Sequence, residues 1–349
     1  MAHAQTGSRH EHTVPDDLAV AAENVHVTYD DGTEAVRGVD LSVAEGEFFG
    51  FLGPNGAGKT TTVRTLVTLL HPTRGSVRIN GYDTRTEPQA VRESIGYMAQ
   101  ETSIDLELTP RENLRVACEM YGVPAAQRSE RIDRLLDLVD LRDVEARRAE
   151  TFSGGMRKRL DTATVLVHRP PVVFLDEPTT GLDPEARRRV WDYIERINDR
   201  GTTVFLTTQY LEEADRLCDR LALLEDGQVT ARGTPDALKA TAGTARLAVE
   251  LADATDRERR RLADALRASS AFEAATVERT AEGLAVETSD VDDVVQEVFA
   301  ALCDASVGVT GLDVGEPTLD DVFFALTDGR EPGGDGRSDD AVAPMEAGR

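Results

Sequence analysis

The chain runs to 349 residues, more than one domain usually holds, so two are expected. Its 64 acidic residues against 39 basic ones leave a formal net charge of −25, which repels nucleic acid and anionic lipid and argues against a DNA- or RNA-binding protein. Three scattered cysteines without metal-ligand spacing, and no apolar run near the ~18 residues of a membrane span, exclude a disulfide scaffold, a cysteine metal centre and an integral membrane protein.

The basic residues are almost all arginine, since only Lys59, Lys158 and Lys239 are lysines. An acidic, lysine-poor chain is what adaptation to concentrated intracellular salt produces: at ~1 M salt the Debye length is about 3 Å and self-repulsion is screened. An ordinary acidic protein is the other reading. Cys118, Cys218 and Cys303 read as reduced core residues of a cytosolic chain. The opening "MAHAQTGSRHEHTVPDD" has no signal-peptide core.

Residues 1–17 and 330–349 are polar and rich in Gly, Pro and Asp, and are expected to be disordered tails. From 18 to about 240, strand and helix patterns alternate, which predicts an α/β domain. The runs "EFFGFLG" (47–53), "PVVFLDE" (171–177) and "TVFLTT" (203–208) predict strands buried on both faces. Between about 100 and 165 the pattern turns helical. There Ile132, Leu135, Leu136 and Val139 follow i, i+3, i+4, i+7 spacing. Residues 245–328 read as a small α+β domain with the order β-α-β-β-α-β and a last helix capped by Thr318, with Asp320 and Asp321 in its first turn.

"GPNGAGKT" (53–60) follows an apolar strand and opens "KTTTVRTLVTLL", a predicted helix. Gly53, Gly56 and Gly58 allow the backbone to curl until successive N–H groups converge on phosphate oxygens. Lys59 supplies a point charge, the helix N-terminus adds its dipole, and the Thr60 hydroxyl can ligate Mg²⁺. Asp176 and Glu177 end the second buried strand; the first can orient Mg²⁺ through its water and the second can activate an attacking water. "TFSGGMRKRL" is a second anion-facing helix start: Ser153 caps it and Gly154 and Gly155 leave its first N–H groups unobstructed. One nucleotide cannot easily use two such sites on one subunit, so two facing chains are implied. "TVFLTTQYLEEAD" (203–215) carries a third strand into a helix across a polar elbow at Gln209, where α/β proteins place ligands.

The phosphate loop, "FSGGM", "FLDEP", "GLDP" (181–184) and the strand-end elbow occur in this order across about residues 20–235, and together they resemble an ATP-binding cassette (ABC) ATPase. Within that family "FSGGM", "LTTQYLEEAD" and the closing "EPTLDDVFFALT" are similar to the daunorubicin-resistance type of drug-export subunit. The resemblance implies a P-loop NTPase cassette with a mixed sheet and a helical insertion. It also implies a head-to-tail dimer holding two ATP and Mg²⁺. Gly53, Pro54, Asn55, Gly56, Ala57, Gly58, Lys59, Thr60 and Thr61 would then hold the phosphates, and Thr60, Gln100 and Asp176 the metal. Tyr29 matches the aromatic that stacks on adenine, a plain strand tyrosine being the other reading. Ser153, Gly154 and Gly155 would close on the partner's nucleotide, and Asp183 matches the aspartate that links the two sites. Two departures stand out: the family's Leu-Ser-Gly-Gly-Gln ends here in Met156, and its elbow histidine is Gln209.

These expectations describe an ATPase on the cytoplasmic side of the membrane, docked by its helical insertion onto a separately encoded permease. Glu177 would be the base, with Lys59 and Gln209 beside it. A soluble cassette ATPase and a nucleotide-sensing module are the rival readings.

Overall fold

A computed structural model describes residues 18–242, and 245–328 apart from 253, 270–271, 273–274, 281, 289–290, 306–307 and 316. The expected tails therefore lie outside the described residues. The chain divides at Leu238 into two compact units.

The first unit opens with two strands before any helix, β1 (Leu18–Thr28) and β2 (Glu34–Ala44). β2 alternates buried and exposed residues, as a sheet with one wet face requires. The strand β3 (Phe48–Leu52) then leads into helix α1 (Lys59–Leu66). This helix is shorter than "KTTTVRTLVTLL" predicts. Val67 already leaves helical geometry and Thr68 takes φ 67°, a left-handed backbone that ends the ladder. Next come β4 (Arg74–Ile79), β5 (Tyr82–Asp83), α2 (Pro88–Ser94) and β6 (Ile95–Met98). The first, second, fourth and fifth strands form an antiparallel sheet in the order β2-β1-β4-β5. Alternation of strand and helix thus begins only at β3.

The helical stretch holds α3 (Pro110–Met120), α4 (Ala125–Leu138) and α5 (Gly154–Val165). Thr109 and Glu112 form a capping box on α3, and Pro110 sits at its first position, where no N–H is missed. Arg111 on α3 binds Asp133 of α4 at 2.7 Å and Glu145 at 2.5 Å, which ties this part together. Then follow β7 (Val172–Asp176), α6 (Pro184–Asn198), β8 (Thr203–Thr208), α7 (Leu211–Leu217), β9 (Arg220–Glu225) and β10 (Gln228–Gly233).

The central sheet has the order β10-β9-β3-β8-β7-β6, parallel throughout except for β10. Every residue of β3, β7 and β8 is buried, which explains their unbroken apolar runs. Phe205 sits within 5.3–5.7 Å of the rings of Phe49, Phe51 and Phe174. Each such buried ring contributes roughly 1.5–3 kcal/mol of transfer free energy. Register then decides function. Leu52 pairs with Thr208, and Asp176 pairs with Thr207, so the three strands end together.

Helix α8 (Pro235–Ala242) carries the chain across the division. The second unit runs β11 (Ala245–Leu251), α9 (Asp256–Arg267), β12 (Thr276–Arg279), β13 (Gly283–Thr288), α10 (Val291–Ala305), β14 (Val309–Gly315) and α11 (Leu319–Asp328). Its sheet is antiparallel, in the order β12-β13-β11-β14. Leu247, Val249, Leu262, Leu266, Val286 and Val298 form its core. At α11 the Thr318 hydroxyl accepts from the N–H of Asp321, whose carboxylate accepts from Thr318 in return. Cys118 and Cys218 are buried as expected, but Cys303 is exposed, because it lies on the outer face of α10.

Candidate functional site

At the common strand end, Gly53–Gly58 bridges β3 to α1. Gly58 has φ 105°, and a Cβ there would lie 2.4 Å from the Ala35 carbonyl oxygen, so both backbone and space demand glycine. The helix begins at once with Lys59, which is only 5% exposed. Its Nζ donates to the carbonyls of Gly53 at 2.7 Å and Pro54 at 3.1 Å, and lies 3.6 Å from Glu177 Oε1. The ammonium thus braces the loop that would hold a phosphate. Burial lowers its pKa, while the Glu177 carboxylate opposes that shift.

Asp176 and Glu177 are both buried. Asp176 Oδ1 accepts from the Thr207 hydroxyl at 2.5 Å, which the β7–β8 register places opposite. Burial raises the Asp176 pKa. The Thr207 hydrogen bond works against this, the neighbouring Glu177 adds to it, and the Thr60 hydroxyl lowers it again. Oδ2 is buried without a hydrogen-bond partner among the described residues. An unused carboxylate oxygen near the Thr60 hydroxyl is a hard-oxygen donor set and fits a hard divalent cation.

Glu177 adopts φ 50°, which for a non-glycine residue costs on the order of 1–3 kcal/mol and must be held in place. Its N–H donates to the carbonyl and hydroxyl oxygens of Thr207, at 3.1 Å each. Its Oε2 accepts from Gln100 Nε2 at 3.3 Å and from the Thr180 hydroxyl at 3.2 Å. The carboxylate is aimed, and the strained backbone is part of the aiming. Lys158 on α5 donates to the Gln100 carbonyl at 2.8 Å, so the segment carrying Gln100 is anchored to the helix that Ser153 opens.

Tyr29 stands 39% exposed, with its hydroxyl 3.0 Å from that of Thr61. It therefore flanks the phosphate loop as a half-open aromatic surface. Gln209 follows β8 and is exposed; its side chain makes no hydrogen bond among the described residues. Ser153 and Asp183 go elsewhere. With Gly155, Met156, Arg159 and Glu185 they line a separate depression of about 180 Å³ that contains no phosphate-loop residue. Ser153 caps α5 through the N–H of Met156, and Asp183 caps α6 through that of Ala186. Gly155 serves packing as well as access, for a Cβ there would lie 2.9 Å from Ala186 Cβ.

Sequence reasoning missed Thr207, Thr180 and Lys158 as supports of the site. The local signal was the paired threonines ending β8 and following Pro178; strand register was needed to interpret the first pair and the loop's own curl the second.

A buried lysine on a glycine-rich loop, faced by a carboxylate pair at a neighbouring strand end, defines a nucleoside-triphosphate-hydrolysing α/β unit. The family described as ABC transporter matches residues 36–180, and that described as ATP-binding protein DrrA1-3-like, C-terminal domain, matches residues 233–327. The chain is 44% identical to the daunorubicin/doxorubicin resistance ATP-binding protein DrrA of Streptomyces peucetius, over 85% of this chain and 88% of that one. It is 41% identical to the Nod factor export ATP-binding protein I of Paraburkholderia xenovorans, over 64% of this chain and 74% of that one. Among solved structures, cbiO1 of Clostridium perfringens, part of the ABC transporter complex cbiONQ, aligns with TM-score 0.60 and 26% identity over 64% of this chain and 90% of that one. A dimeric ATP-binding cassette in a post-hydrolysis state bound to ADP and Pi aligns with TM-score 0.57 and 28% identity, over 62% and 98%. The chain belongs to the ABC transporter family, as an ATP-hydrolysing subunit of the daunorubicin-resistance type.

Proposed function

We propose that the chain powers an exporter, with two copies meeting head-to-tail on two ATP and docking onto a separate permease at the cytoplasmic face of the membrane. Glu177 is the general base: the carrying observation is its buried carboxylate, held by Gln100 and Thr180 and standing 3.6 Å from Lys59. Thr60 and Gln100 would ligate Mg²⁺, with Asp176 orienting it through water. The ion would supply charge neutralisation on the β- and γ-phosphates. Lys59 holds the phosphate charge, Tyr29 offers a face to adenine, and Gln209 donates a hydrogen bond at the γ-phosphate as an organiser. It cannot shuttle a proton, because an amide does not titrate.

The separate Ser153–Asp183 depression supports a site completed by a second copy, since its own chain brings no phosphate loop to it. Among the described residues no helix is long and apolar enough to cross a membrane. Met120 at 80% exposure, with exposed Val116 and Tyr121 beside it around α3, supports docking of the helical part onto a permease. The relatives named for drug resistance and Nod factor export support the direction of transport. We also read the acidic composition as salt adaptation. Circular dichroism should then report unfolding as KCl falls from ~1 M to ~0.1 M, where the Debye length is about 10 Å, and a flat signal rejects it.

Glu177→Gln tests the central assignment. Bound ATP should persist while turnover falls by about 10²- to 10⁴-fold, leaving an ATP-dependent dimer visible by light scattering. Turnover at the parent rate would remove Glu177 as the base.

A further inference from the structure

Glu213 lies on α7, four residues beyond Gln209, and is completely buried. Its Oε1 accepts from the Thr179 hydroxyl at 3.0 Å and from the Trp191 indole N–H at 2.8 Å. Its Oε2 is buried with no hydrogen-bond partner among the described residues. Burial raises its pKa, against the nearby Thr208 hydroxyl and the hydrogen bonds of Trp191 and Thr179. A carboxyl group in such a place is costly, and an apolar side chain of similar volume would fill the space at less expense. Its neighbours on the same buried face, Ala214 and Leu217, are apolar, so the fold of the helix does not call for an acid.

What the acid holds is informative. Thr179 lies in the loop just past Glu177, and the next residue, Thr180, holds the Glu177 carboxylate. Trp191 is on α6, the helix that Asp183 caps. The Thr208 hydroxyl lies beside the carboxyl and accepts from the N–H of Tyr210 at 2.9 Å. The Arg187 guanidinium of α6 stacks 4.1 Å over the Tyr210 ring. Gln209 is thereby flanked on one side by Thr208, next to the carboxyl that holds Thr179 of the Glu177 loop, and on the other by Tyr210, held against α6.

We propose that Glu213 is a positioning residue for ATP hydrolysis: through Thr179 and Trp191 it fixes the Glu177 loop against the Gln209 elbow without touching nucleotide. This rests on the reading of Glu177 as the base. Loss of the clamp changes the spacing of base and elbow, leaving the phosphate loop, Lys59 and Tyr29 as they are. Turnover, not nucleotide affinity, is what should respond.

The test uses the full chain with Thr179→Val, Glu213→Leu and Glu213→Gln, measuring kcat, ATP affinity and the thermal midpoint, with Glu177→Gln alongside. Thr179→Val deletes one donor without opening a hole and decides the matter if Glu213→Leu does not fold. Thr179→Val and folded Glu213→Leu should lose up to about 100-fold in kcat, the scale of an ångström-level misplacement, at unchanged ATP affinity. Glu213→Gln keeps an acceptor for both donors and should stay within about 3-fold of the parent. The double variant Thr179→Val/Glu213→Leu should fall no lower than Glu213→Leu alone, because both break one contact. Parent-like kcat in Thr179→Val, or a Glu213→Gln as slow as the leucine variant, overturns the proposal. An active Glu177→Gln would instead overturn the base assignment, so the two failures can be told apart.

Discussion

The first unit has two candidate anion sites, and they are built differently. At the Lys59–Glu177 end, Lys59, Asp176 and Glu177 are all buried, and each is tied to its neighbours by short polar contacts. At the Ser153–Asp183 end both side chains are exposed, and among the described residues each does no more than cap its own helix. Charges in a dry, hydrogen-bonded setting act more strongly and reorganise less than charges in water. The buried end therefore holds its charged groups in place within one chain. The exposed end has no phosphate-loop residue beside it, which under the proposed function leaves its helix start for a ligand carried by a second copy.

Substitutions at three positions test that contrast. The largest effect belongs to Lys59→Ala, which takes the ammonium from the Gly53 and Pro54 carbonyls and from Glu177 together. The loop loses its brace and the phosphates lose their counter-charge, so ATP affinity should fall by about 100-fold or more in a fluorescence titration. Affinity equal to the parent would mean that the buried end is not the phosphate site. Gln209→Ala comes next. Removing one preorganised donor should cut turnover by roughly 10- to 1000-fold, while Gln209→His keeps much of the activity and gains a pH dependence near the histidine pKa. An alanine variant as fast as the parent would place Gln209 outside the reaction.

What was legible in the sequence follows the same division. The phosphate loop, the three buried strands and Asp176–Glu177 are local patterns, and periodicity and spacing suffice for them. The order of elements in the second unit was legible for the same reason. The Thr207 contacts were not, because they depend on which residue of β8 lies opposite Asp176, and the Thr180 contact depends on how the loop after β7 curls back onto Glu177. Gly155 looked like a residue of open access, yet its closest constraint is Ala186 on another helix, about 30 positions away in sequence and a matter of helix packing. The early end of α1 depends on one left-handed residue, Thr68, which no propensity scale marks.

Ser153→Ala should give the smallest effect on the folded chain, and it probes the exposed end directly. Among the described residues the hydroxyl accepts only from the Met156 N–H, at 3.3 Å, so its loss removes one cap, worth about 0.5–2 kcal/mol in thermal or denaturant unfolding. Affinity for ATP in the isolated chain should not change, since no phosphate-loop residue lines this depression. Turnover is different: if Ser153 completes a neighbour's site, losing its donor should slow hydrolysis at saturating ATP by several-fold to about 10-fold. Aspartate separates the two roles. It caps a helix as well as serine does, so Ser153→Asp should keep the stability that alanine loses. It also sets a negative charge where a phosphate would arrive, so its turnover should drop below that of the alanine variant. A Ser153→Asp protein that is stable and hydrolyses ATP at the parent rate would show that this end meets no phosphate, and that the exposed helix start is a cap and nothing more.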